Sequence, residues 1–226
     1  MKRIASFLLV LLSVLWSCSS DEVRLADSGF FPVQIGFFQV YDVNEIIYTA
    51  FNPPQSLTYQ LRVEVLDAFE NQGGGLTYVT YRSKRETDSD PWDYLDTWSV
   101  RKTDQFALVA EGNTTYAKLV FPLRVNASWN GNQFNDEGED EYTLEQYGGA
   151  FNAGNGISFS DVIVVNQNRE SNLVFKDDRL EVYSFEKGLV YSEYQVWQYN
   201  CSGGTCTGQI NNGKYRKMVL TDYGVE

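Results

Sequence analysis

Leu57-Thr58-Tyr59-Gln60-Leu61-Arg62-Val63-Glu64-Val65, inside the segment Ser56 to Asp67, decides the fold. Leu57, Tyr59, Leu61, Val63 and Val65 alternate with Thr58, Gln60, Arg62 and Glu64. That is the period of a strand buried on one face and wet on the other. A 3.6-residue helical period would scatter both sets around the axis. Asn52-Pro53-Pro54 before the segment reads as a turn, and Asn71-Gln72-Gly73-Gly74-Gly75 after it as a loop. Leu76 to Arg85 then returns as a second strand, so the two form a hairpin.

The same grammar extends in both directions. Pro32 to Val43 puts Val33, Ile35, Phe37, Tyr41 and Val43 on one face. Thr87-Asp88-Ser89-Asp90-Pro91 is a turn, followed by strands at Tyr94 to Lys102, Gln105 to Glu111 and Thr115 to Phe121. Such regular spacing predicts an antiparallel meander. Asn126 to Gly156 is rich in Asn, Gly and acid, with one short strand at Tyr142 to Tyr147, and reads as a loop-rich insertion. Strands resume at Ile157 to Val165 and Asp178 to Phe185. Gly188 to Asn200 and Tyr215 to Tyr223 close the chain as a long hairpin. No segment supports a helix longer than about two turns.

The start of the chain reads differently. Met1-Lys2-Arg3 precedes the apolar run Ile4 to Trp16. As a helix that run spans ~20 Å, short of the ~30 Å hydrocarbon core. It is therefore a signal sequence rather than a membrane span. Leu15-Trp16-Ser17-Cys18 resembles a lipobox, which makes Cys18 the expected lipidation site. Each buried methylene of an acyl chain is worth ~0.8 kcal/mol, so two or three chains would hold firmly. Ser19-Ser20-Asp21-Glu22 resembles the serine-then-acid signal that sends Bacteroidetes lipoproteins to the cell surface. The expected organisation is residues 1–17 as signal peptide, 18–30 as tether and 31–226 as one β-rich domain. The expected location is the outer membrane, lipid-anchored and exposed at the cell surface.

Composition narrows the chemistry. The 226 residues carry a net charge of −12, which opposes binding to nucleic acid. Histidine is absent, which removes Ser-His-Asp and Cys-His catalysis and imidazole-based metal sites. Cys201 and Cys206 enclose Ser202-Gly203-Gly204-Thr205, and in an exported chain such a close pair is expected to form a disulfide. The C-x4-C spacing does not suit a thioredoxin-like role. No cofactor is expected.

Three constellations are candidates for binding or chemistry. Trp92, Trp98 and Trp129 lie in or near loop-rich segments, where indole faces can stack on a ligand or sugar ring; as core residues they would cap the sheet instead. Asn130, Asn132, Asn135 and Asp136 could supply oxygens to calcium, although the D-x-[DN]-x-[DN]-G spacing is missing. Asp136-Glu137-Gly138-Glu139-Asp140-Glu141 could hold a glycosidase carboxylate pair, but nothing apolar there would raise a pKa. A solvated, dispensable loop with no cation to pair with is the expectation for this run.

Three segments together resemble a family of uncharacterised Bacteroidetes lipoproteins. Phe31-Pro32-Val33-x-x-Gly36-x-x-x-Val40-Tyr41-Asp42-Val43 is similar to its FPL..G..W.Y.V opening, with Phe38 where Trp is common. Phe159-Ser160-Asp161-Val162-Ile163-Val164-Val165 is similar to its central strand. Glu181-Val182-Tyr183-Ser184-Phe185-Glu186-Lys187-Gly188-Leu189-Val190-Tyr191-Ser192-Glu193 is similar to its EVYAKGIGLVYKE closing strand, with Phe185-Glu186 in place of Ala-Lys. The resemblance implies an all-β fold: a single antiparallel, strongly curved sheet or half-barrel, here of about 9–11 strands. It brings no catalytic motif.

The leading functional expectation is a non-enzymatic cell-envelope lipoprotein with a binding or accessory role, joined to the membrane by its lipid and to an envelope protein or glycan. A glycan-binding surface lipoprotein of a polysaccharide-capture system is the alternative. A carboxylate-dependent hydrolase is third.

Overall fold

The computed structural model describes residues 27–226. The signal peptide, Cys18 and the export signal lie outside the described residues. The fold is all-β, as the alternation at Ser56 to Asp67 requires.

The first half is a meander of six strands: β1 (Phe37–Tyr48), β2 (Gln55–Glu70), β3 (Leu76–Arg85), β4 (Asp93–Lys102), β5 (Phe106–Glu111) and β6 (Thr114–Val120). The insertion then contributes β7 (Ser128–Asn130), β8 (Glu141–Tyr147), β9 (Ala150–Gly154) and β10 (Ile157–Ser160). The last four strands are β11 (Val162–Ser171), β12 (Phe175–Ser184), β13 (Gly188–Ser202) and β14 (Thr205–Val225). Twelve strands form one antiparallel sheet in the order β6-β5-β4-β3-β2-β1-β14-β13-β12-β11-β8-β7, and β9 with β10 forms a second, two-stranded sheet.

The long sheet curls until its two ends nearly meet. Ala117 N–H on β6 donates to the Gly131 carbonyl just past β7 (2.8 Å), and the Trp129 indole N–H donates to the Ala117 carbonyl (2.8 Å). Asn135 Nδ2 donates to the Thr115 carbonyl at 2.8 Å. These three bonds close the seam between the first and last strands. Gly131 belongs there because a Cβ on it would stand 2.4 Å from the Tyr142 ring.

Three expectations are corrected. The strand count exceeds about 9–11, because β7 and β9 lie in the insertion read as loop. The proposed strand at Pro32 to Val43 begins only at Phe37. Ile157 to Val165 is broken at Asp161, where φ is +48°, so its two halves join different sheets. The first of these halves, with β9, lies over the outer face of the large sheet. Phe159 and Ala153 pack there with Val164, Val182, Val190 and Val219. That cover explains why Val162 to Val165 is apolar at every position: both faces are buried.

The supposed tether is also corrected. Ser28–Phe30 forms a 3-10 turn, and both Asp27 and Phe30 are buried. Asp27 accepts the Leu123 N–H at 2.9 Å and the Tyr147 hydroxyl at 2.9 Å. The Phe30 ring meets Tyr147 and Phe185 edge-on. Lys102 Nζ donates to the Ser28 and Phe31 carbonyls and pins this segment across one end of the barrel. The domain therefore includes Asp27, and its first turn is a plug.

Candidate functional site

Alternation places one side chain of every second residue inside the barrel. The registers fix the ends. Phe37 pairs with Val225 and Ser184 with Gly188 at the plugged end, which we term the base. Tyr48 pairs with Gly213 and Cys201 with Cys206 toward the opposite end, the mouth. Between them lies a cavity of about 140 Å³, walled by Phe37, Leu61, Val63, Val65, Val100 and Met218 and by the charged Arg82, Glu111, Lys118, Glu181 and Arg216. A second space of about 510 Å³ continues toward the mouth and shares the wall of Glu111, Lys118, Glu181 and Arg216.

The charged wall has a definite wiring. Lys118 on β6 bridges Glu111 at 3.1 Å and Glu181 on β12 at 3.0 Å, and the Tyr183 hydroxyl also donates to Glu181. Burial pushes the Glu181 carboxyl up, but Lys118 and the donated hydrogen bonds outweigh it and hold the group below the usual carboxylate range. Burial likewise works against the Lys118 ammonium, and Glu181 and Glu111 outweigh it, raising that pKa. Burial pushes the Tyr183 phenol well up. The triad is a locked set of opposite charges.

Arg82 on β3 is buried, pairs with Asp96 through Nη1 at 2.9 Å and stacks 3.6 Å from the Trp98 ring. Its Nε has no hydrogen-bond partner. Desolvation lowers its pKa first, and Asp96 works the other way. Arg216 on β14 makes no salt bridge among the described residues. Its guanidinium stands 6.0 Å from the Tyr194 ring and its Nε is buried without a partner. Near the mouth, Lys214 pairs with Glu45, which also accepts the Tyr59 hydroxyl. Arg179 holds Asp140 at 2.7 Å and Asp177.

The three tryptophans do not converge. Trp98 lines the cavity beneath Arg82. Trp92 is half-buried with Arg85 over its ring, on another part of the sheet. Trp129 is 9% exposed, meets Tyr142 edge-on and spends its N–H on the seam, so it is a core residue and not an open stacking face.

The asparagines of the calcium candidate shape their loop instead. Asn130 Oδ1 accepts the backbone N–H groups of Asn132 and Asp140, Asn132 Oδ1 accepts from Asn135 Nδ2, and Asn135 Oδ1 accepts the Glu137 N–H. Asp136 is exposed. Among the described residues, no group of three or more His, Cys, Asp or Glu side chains could hold a metal ion. The acidic run is corrected at one position: Asp140 is half-buried and has a cation, Arg179, supplied from β12. The disulfide joins Cys201 and Cys206 near the tip of the final hairpin.

Sequence reasoning missed Arg82, Lys118, Glu181 and Arg216. One signal was available: Glu181 sits between Leu180 and Val182 in a stretch whose neighbours are apolar on both sides. A charge placed there must find a partner inside.

No family model matches this chain, and no curated protein matches it. Two solved structures are similar in outline. One is a protein described as exported, with a YmcC-like fold, from Bacteroides fragilis, at 16% identity and a TM-score of 0.46. The other is a protein described as a lipoprotein from Parabacteroides distasonis, at 12% identity and a TM-score of 0.44. Each alignment covers 86% of this chain and 98% of the other.

Proposed function

We propose that this is a non-enzymatic lipoprotein of the cell envelope, anchored in the outer membrane through Cys18, that holds a small ligand in the barrel lumen. The observation that carries the reading is the lumen itself. A buried, largely apolar cavity is plugged at the base, and its charged wall opens toward the mouth. Concave, mostly apolar pockets with a few converging polar groups are the usual form of small-molecule sites.

The same wall argues against the hydrolase reading. Glu111 and Glu181 are neighbours, but both are tied to one ammonium group. Glycosidase chemistry needs one carboxylic acid kept protonated near neutral pH. Glu181 is driven in the opposite direction. The glycan-binding alternative asks for exposed indole faces grouped together, and Trp92, Trp98 and Trp129 stand apart with separate contacts.

The test is native mass spectrometry of the lipidated chain purified from its own membrane. Intact mass should show acyl chains on an N-terminal Cys18, and a small-molecule adduct should be retained by the wild type. Val63→Trp, which fills the cavity floor, should lose that adduct. A fully soluble mature chain, or an adduct indifferent to Val63→Trp, would overturn the reading.

A further inference from the structure

Among the cations that line the lumen, Arg216 alone makes no salt bridge with a described residue. Asp96 is bonded to Arg82, Glu111 and Glu181 to Lys118, Glu45 to Lys214, and Asp140 and Asp177 to Arg179. Each of these acids already has its cation. Glu45 stands opposite Arg216 in the β1–β14 register but is bonded to Lys214, and Arg216 lines the same cavity as Arg82. Neither arginine has a partner for its buried Nε. Arg82 spends only Nη1 on Asp96, donating there to both of that carboxylate's oxygens. Guanidinium groups carry five donors in a planar fork that matches a carboxylate. Natural proteins rarely leave such donors buried and idle, and where they do, an absent acceptor is one explanation.

The apolar floor beside them sets the size of the rest of the ligand. At about 140 Å³ it is close to the ~150 Å³ of an engineered apolar cavity that binds benzene. A ring or a short branched chain fits there, and a long acyl chain does not. Resting on the lumen as the binding site, we infer that the ligand is a small organic carboxylate: its anionic head sits between Arg82 and Arg216, and one ring-sized apolar group lies against Leu61, Val63 and Met218. Glu137 and Glu139 stand around the outer space, so the rim does not draw anions in and selection happens at the arginines.

A stability signature accompanies the geometry. Arg216 is half-buried, its Nε has no partner, and its charge acts against that of Arg82. Functional sites often carry residues that cost the empty fold stability. Arg216→Met should therefore leave the melting temperature unchanged or raise it.

The experiment is isothermal titration of the full lipidated chain, reconstituted in phosphatidylcholine vesicles, with phenylacetate, its neutral analogue phenylacetamide and the cation phenethylamine. Empty vesicles provide the blank. Phenylacetate should bind at least about tenfold more tightly than either, since a charge-assisted hydrogen bond is worth that much. Arg216→Met should remove that preference while keeping the melting temperature. Arg216→Lys, which restores the charge without the fork, should recover part of it. Equal affinity for phenylacetate and phenylacetamide, tighter binding of phenethylamine, or a preference that survives Arg216→Met would overturn the inference. If no probe binds while the native adduct is still lost in Val63→Trp, the lumen reading stands and the carboxylate inference falls.

Discussion

Lys118 shows how much one residue can decide. Its ammonium group lies between two carboxylates in a place that water scarcely reaches. Removing one partner of a buried pair strands the other, and the cost is typically about 3–5 kcal/mol. Lys118→Met is expected to lower unfolding free energy in urea by about that amount. The double variant Lys118→Met/Glu181→Gln should recover part of the loss, because no ionised carboxylate is then left at position 181. The pH dependence follows from the sign of the Glu181 shift. Its pKa is lower in the folded state than in the unfolded chain, so its contribution is complete above the unfolded value, near 4.5, and is lost as pH falls through the folded one. Urea midpoints measured downward from pH 6 should fall less steeply in Glu181→Gln than in the wild type.

At the scale of elements, the strands were legible and their partners were not. The hairpin of Ser56 to Asp67 with Leu76 to Arg85 was readable because each strand has one wet face and a glycine-rich loop between them. β12 was hard to read, because it is covered on one side by the small sheet and on the other carries Arg179, Glu181 and Tyr183 into the lumen. Period-2 patterning reports exposure, so it fades where both faces are buried. The acidic loop failed for another reason. Its cation lies 39 residues further along the chain, and local composition cannot display a partner at that distance. The loop now offers a contrast. Asp136→Asn, Glu137→Gln and Glu139→Gln are surface changes and should each alter stability by no more than about 0.5 kcal/mol. Asp140→Asn removes charge-assisted bonds to a half-buried Arg179 and should cost about 1.5–3 kcal/mol in the same denaturant assay.

The whole molecule is polar in the geometric sense. The chain enters at the base, where Asp27, Phe30 and Lys102 bind the first turn across the barrel, and the lumen continues toward the opposite end. None of this could be read from residues 18–30, which have the composition of a tether. The decisive fact is that Phe30 finds a pocket between Tyr147 and Phe185, far along the sequence. Phe30→Ala is expected to cost about 3–5 kcal/mol, as truncation of a buried aromatic does. Hydrogen exchange should show added opening at Ser28 to Phe31 and Leu123 while the β13–β14 pairing stays protected. A variant with native stability and native exchange would mean that the plug is a passive overhang.

The seam at Ala117 and Gly131 bears on life in a crowd. An open sheet ends in a row of idle amides and carbonyls, and many copies fastened side by side to one bilayer would offer those rows to each other at high local concentration. Here the amide and carbonyl of Ala117 and the carbonyl of Thr115, on the edge strand β6, are already occupied by the sheet's own opposite edge. A neighbouring molecule would find those groups already taken, and strand addition at this seam would first have to break those bonds.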